Sequence, residues 1–144
     1  MSKSISEFVR NTYFELKAKH NFTCSLTEEK LEENYIMVFD YEKNSIVFDS
    51  RNMDELYKQG VEHGVYRDLD FNKFVLFCLL HELGHYYDYK ENKKAFEVKS
   101  KDEYIQMELN GIQKAKQLVP SEMAYEFHWF NQHILKSYKV GLPD

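Results

Sequence analysis

Between residues 5 and 19 the apolar positions Ile5, Phe8, Val9, Tyr13 and Leu16, with Thr12 among them, recur at helical spacing. Ser4 and Glu7 form an S-x-x-E pair at the start of that pattern, which predicts a capped helix over 5–19. Thr27 to Glu33 predicts a short second helix with Thr27 as its cap. Two β-rich runs follow, Tyr35-Ile36-Met37-Val38-Phe39 and Ser45-Ile46-Val47-Phe48, around the polar Tyr41-Glu42-Lys43-Asn44. They predict an antiparallel hairpin over 35–48. Asn52 to His63 predicts a helix, with Asn52 and Glu55 as its capping pair and Gly64 as its stop.

Asp70 caps a long helix over 71–90 that opens almost wholly apolar, Phe74-Val75-Leu76-Phe77-Cys78-Leu79-Leu80. A helix of that pattern is buried on most sides. Residues 91–100 form a lysine-rich connection, Ser100 and Glu103 cap a helix over 101–118, Pro120 ends it, and 121–138 supply a last helix. No repeat and no long linker divides the chain. The expectation is a single α+β domain over 1–144, mostly helical, with a small antiparallel sheet packed near helix 71–90.

That helix carries His81-Glu82-Leu83-Gly84-His85. Two histidines four residues apart stack on one helical face, so both imidazoles can reach one Zn²⁺. Glu82 points to the side of the pair, where it can hold a water on the metal and take its proton. Given six histidines in 144 residues, random placement yields H-E-x-x-H in roughly 3 % of such sequences. An apolar helix also has little reason to bury His, Glu and His without a metal, since each unpaired polar group costs several kcal/mol. Gly84 costs about 1 kcal/mol inside a helix. Close passage of another backbone accounts for it, and the hairpin strand over a peptide cleft is the expected neighbour.

A catalytic zinc takes three protein ligands and keeps one position open. Tyr104, Met107, Gly111, Ile112, Ala115 and Leu118 make an apolar stripe on helix 101–118, and Glu108 stands inside it. A carboxylate on a core-facing stripe needs a compensating partner, and zinc provides one. Glu108 is therefore the expected third ligand, ahead of Glu97 in the connection and Glu103 at the cap. Cys24 and Cys78 are poorer candidates. Asp88, on the same face as His81 and His85, either hydrogen-bonds a ligand histidine or faces solvent.

The segment Phe77-Cys78-Leu79-Leu80-His81-Glu82-Leu83-Gly84-His85 resembles the catalytic helix of ImmA/IrrE-type gluzincin peptidases. In that family a hairpin precedes the helix, and a later helix brings a Glu, a small-residue stripe and a Leu-x-Pro ending. Glu108-Leu109-Asn110 through Ala115, then Leu118-Val119-Pro120, is similar to that later segment, so the resemblance spans roughly residues 35–120. Gly111 and Lys116 stand where the family more often has Ala and another small or aromatic residue, and no separate helix-turn-helix or sensor domain is legible. The resemblance implies a zincin-like fold, zinc and peptide hydrolysis. It also implies the phage or mobile-element setting in which such peptidases are common. Gluzincins usually add a Tyr or His that steadies the oxyanion, for which Tyr125, His128 and His133 are the candidates.

Composition narrows the functions. The chain is 43 % apolar and 16 % aromatic, as a packed globule requires, and its net charge of −5 disfavours a phosphate backbone as partner. The lysines at 90, 93, 94, 99 and 101 read as a solvated loop. Two cysteines cannot build a disulfide framework, no apolar run reaches the ~18 residues of a membrane span, and the start of the chain does not look like a secretory signal. These features predict a cytoplasmic protein with free thiols, acting on a protein or peptide, with no nucleic-acid or membrane partner. The leading expectation is a zinc metallopeptidase, in which the hairpin holds substrate as an added strand. Its competitor is a zinc-stabilised protein-binding module with weak or no turnover, which would have no need of Glu82.

Overall fold

The computed structural model describes residues 2–66 and 69–135. Five α-helices and a three-stranded sheet make an α+β fold: α1 Ser2–Lys19, β1 Ser25–Glu28, β2 Met37–Asp40, β3 Ser45–Phe48, α2 Ser50–Glu62, α3 Phe71–Glu91, α4 Lys101–Lys116 and α5 Ala124–Leu135. Short 3-10 turns at Lys93–Phe96 and Ser121–Met123 precede α4 and α5. The chain divides into two compact units, Met1–Leu79 and Leu80–Asp144, with the division inside α3. No helix among the described residues is long and apolar enough to cross a membrane.

In the first unit the predicted hairpin forms, with Met37 opposite Phe48 and Asp40 opposite Ser45. Asp40 Oδ1 accepts from the amides of Glu42 and Lys43, and Asn44 closes the turn at φ 50°. The sheet is mixed, which the sequence reading did not anticipate. β1 runs parallel to β3, giving the order β1-β3-β2 with the fully buried Ser45–Phe48 in the centre.

β1 also displaces the helix expected over 27–33, for identifiable reasons. The Glu28 carboxylate accepts the hydroxyls of Ser6 at 2.8 Å and Ser50 at 2.6 Å and pairs with Arg10, tying the strand end to α1 and α2. The Glu29 amide after it donates to the Phe48 carbonyl, and side chains satisfy much of the backbone that follows. Asp49 Oδ2 accepts from the Leu31 amide, and the Asn52 amide donates to the carbonyls of Leu31, Glu32 and Tyr35. Asn52 therefore is not the cap of α2. Asp49 is, through the Asn52 amide at 3.0 Å, while Glu55 pairs with Arg51. Ser4 likewise lies inside α1 and not at its start. Gly64 does end the region, at φ 77°.

α3 starts at the predicted cap, with the Lys73 amide on Asp70 Oδ1 at 2.8 Å, and all ten residues from Phe77 to Tyr86 are buried. In the second unit Ser100 and Glu103 form the predicted reciprocal cap of α4. α4 stops at Lys116, two residues short of the expectation, and α5 is described to Leu135. The remainder of the helix predicted over 121–138 lies outside the described residues. Cys24 and Cys78 are both buried, and neither is joined in a disulfide.

Candidate metal centre

His81 and His85 sit one turn apart on the buried half of α3, with ring centroids 4.9 Å apart and Nε2 atoms 3.3 Å apart. α4 supplies the third group. Glu108 Oε2 lies 2.7 Å from His85 Nε2, and its Oε1 lies 3.4 Å from His81 Nε2. The three residues offer donor atoms all within 4.8 Å of one another, and each residue is buried. Two imidazoles and a carboxylate are the donor set suited to a borderline metal such as zinc, so this buried group can hold a metal ion.

The approach of α4 to α3 rests on two glycines. A Cβ on Gly84 would collide with the Gly111 carbonyl oxygen and stand 2.9 Å from the Ala115 nitrogen. A Cβ on Gly111 would collide with the His85 imidazole, whose Cγ it would meet at 3.1 Å. The backbone that passes Gly84 is thus that of α4, and not the hairpin strand expected from the sequence. Glu91 and Lys114 form an ion pair between the same two helices, and the Phe96 ring stands edge-on to His85 at 6.3 Å.

This contact inverts the usual sign of a helix substitution. Gly84→Ala at an open helix position would stabilise by about 1 kcal/mol. Here the obstacle is backbone, which must move, and overpacking of that kind costs about 1–3 kcal/mol or more. The substitution is expected to lower the urea unfolding midpoint and to weaken metal binding together. A higher midpoint would show that α3 and α4 do not approach through Gly84.

Asn131 on α5 completes the surroundings. Its Oδ1 lies 2.8 Å from His81 Nδ1, its Nδ2 donates to the Phe127 carbonyl at 2.9 Å, and it is 0 % exposed. The sequence reading missed it. The signal was there: a polar residue set among Phe127, Phe130 and Leu135 at helical spacing, the same anomaly that marks Glu108.

Electrostatics hold the metal-free group together. Burial opposes a charge on His81. The hydrogen bond and charge of Glu108, the charge of Glu82 and the bond to Asn131 outweigh it and raise the imidazole pKa to about 9. Burial also opposes the Glu108 carboxylate, yet the charge of His85 and the hydrogen bonds of both histidines hold it well below the usual carboxylate range. Glu82, next to His81 in the chain, is buried as well.

The other candidates are not among the three convergent donors. Glu97 is exposed, and Glu103 is engaged at the α4 cap by Ser100 and the Lys99 amide. Tyr125 is 73 % exposed and packs edge-on against Trp129, while His128 Nε2 lies 3.5 Å from the Gln132 amide nitrogen. Neither belongs to the convergent donors. Asp88 is buried and not solvent-facing, and among the described residues neither its Oδ2 nor His85 Nδ1 has a hydrogen-bond partner. Burial pushes the Asp88 carboxyl above its usual range, against the pull of His85 and Lys114.

No family model, no curated protein and no solved structure matches the chain. The resemblance to ImmA/IrrE-type peptidases therefore rests on the residues quoted for it.

Proposed function

We propose that the chain is a zinc metallopeptidase that hydrolyses peptide bonds of a protein inside the cell. The observation that carries this reading is the convergence of His81, His85 and Glu108 beside the buried Glu82. Among the described residues three donors converge, the number that leaves a position open, whereas a purely structural zinc is closed by four. A buried carboxylate directly after the first histidine has no part in a zinc site that only stabilises a fold, which disfavours the binding-module alternative.

Bound zinc supplies Lewis acidity, polarising a carbonyl and making water acidic near neutral pH. His81, His85 and Glu108 would hold it. Glu82 takes the proton of the attacking water and delivers it to the leaving amine, so that water and amide become carboxylate and amine. A direct test is digestion of casein and a peptide library by zinc-loaded protein, with new N-termini read by mass spectrometry. Cleavage that disappears with a chelator and returns with zinc supports the reading. Fully loaded protein that leaves every peptide intact contradicts it.

Metal binding should depend on pH with a definite sign. Zinc needs neutral His81, whose imidazolium persists to about 9 in the metal-free protein. Uptake at pH 7–8 therefore expels a proton, and apparent affinity should rise about tenfold per pH unit and level off above about 9. The stability of stripped protein follows the same group. A histidine pKa raised by folding stabilises fully below the unfolded value of about 6.5 and ceases to do so as pH climbs through about 9. Stripped protein should lose up to about 3 kcal/mol across that window. Urea midpoints unchanged from pH 6.5 to 9 would remove the His81–Glu108 pairing from the account.

A further inference from the structure

We infer that Asn131 is a positioning residue that fixes His81 in the tautomer carrying its proton on Nδ1 and its lone pair on Nε2. The inference rests on the metal reading above and assigns how one ligand of that site is aimed.

The orientation of the Asn131 amide follows from its second bond. Its nitrogen faces the Phe127 carbonyl at 2.9 Å, an acceptor with no proton to give. Only an amide nitrogen can answer it, so the oxygen must be the atom at 2.8 Å from His81 Nδ1. An amide oxygen accepts and never donates, so Nδ1 must carry the hydrogen. When the ring is neutral its lone pair therefore lies on Nε2, the atom that faces Glu108 and His85, where the donors converge. Phe127 and Phe130 are buried on the same helix, so α5 holds the amide rigidly.

The two histidines are thereby unequal. His81 is aimed by a hydrogen bond from another helix. Among the described residues His85 has no partner on Nδ1, and it packs against Gly111 and the Phe96 ring. The choice of amide has a further consequence. Orienting groups behind metal-bound histidines are often carboxylates, but this pocket already buries Glu82 and Glu108. A neutral acceptor aims the ring without adding a third negative charge.

The experiment combines zinc affinity, by competition with a chromophoric chelator, with ¹⁵N NMR of the histidine rings. Asn131→Ala should weaken zinc binding 10–100-fold, the usual effect of losing such a partner. Asn131→Asp keeps an acceptor for Nδ1 but adds a charge and loses the bond to the Phe127 carbonyl, so it should bind more tightly than Asn131→Ala and more weakly than wild type. A residue that merely packs would give the reverse order, because an unbonded buried carboxylate is worse than a small cavity. Wild-type affinity in Asn131→Ala, or Asn131→Asp falling below Asn131→Ala, overturns the inference and leaves the metal reading standing. If wild-type protein binds no zinc, the metal reading fails. The ring spectrum of metal-free wild type, followed up in pH until the His81 ring has lost its charge, still decides the tautomer. Nδ1–H supports the positioning role and Nε2–H overturns it, whether or not the variants fold.

Discussion

Glu82→Gln is expected to lower peptide hydrolysis about 10²–10⁴-fold while zinc and fold remain. The size is that of removing a general base from a positioned proton transfer. The change is nearly isosteric and takes away one negative charge and one proton acceptor. His81, His85 and Glu108 are left intact, and they are the residues whose donor atoms converge. Glu82 also adds its charge to the support of the His81 imidazolium. Loss of that charge should let His81 shed its proton more easily and bring zinc in at a slightly lower pH. The measurement is kcat on a confirmed substrate beside zinc content by elemental analysis. Wild-type turnover would remove the base role, and loss of zinc with loss of activity would make Glu82 part of the metal's support.

Glu108→Ala is expected to reduce zinc affinity more than the 10–100-fold that follows loss of an outer partner. It removes a ligand outright, and it does so on the second helix, which has no other carboxylate in the group. Glu108 is only 6 % exposed, with both oxygens within 3.4 Å of an imidazole nitrogen. In stripped protein the damage is bounded, because His81 can release its proton once its partner is gone. In loaded protein the lost binding energy is also lost folding energy. The holo form should therefore be destabilised more than the apo form. Glu97→Ala and Glu103→Ala serve as controls and should keep zinc, although Glu103→Ala should loosen the start of α4 by about 1 kcal/mol, since its carboxylate accepts from the Lys99 amide and the Ser100 hydroxyl. Unchanged affinity in Glu108→Ala, with loss in either control, would move the third ligand and spare the peptidase reading.

Glu108 was legible because a charge on an apolar stripe has few explanations, and the chain contains two histidines able to provide one. Gly84 was legible as a close approach but not as to its neighbour. A glycine records that something passes, not what passes, and the matching Gly111 reads in the sequence only as one member of the apolar stripe and as a departure from the resembling family. Asn131 carries the same anomaly as Glu108, but an asparagine is a weaker signal than a carboxylate.

β1 was illegible for a different reason. Ser25-Leu26-Thr27-Glu28 is a largely exposed edge strand whose stability comes from pairing with β3, twenty residues away. Read locally, Thr27 followed by Glu28 and Glu29 looks like a helix start. Asp49 and Asn52 show how one polar run can support two capping registers. Asn52 was excluded only by what its side chain does at a distance, bonding three carbonyls of residues 31–35.

The central claim is that one zinc is held by His81, His85 and Glu108. Anomalous diffraction from zinc-supplemented crystals, collected on either side of the zinc absorption edge, tests it most directly. The account predicts a single strong peak within bonding distance of His81 Nε2, His85 Nε2 and a Glu108 oxygen, at about 2.0–2.2 Å from each. An absent peak, or one on other residues with these three still hydrogen-bonded to one another, would contradict it.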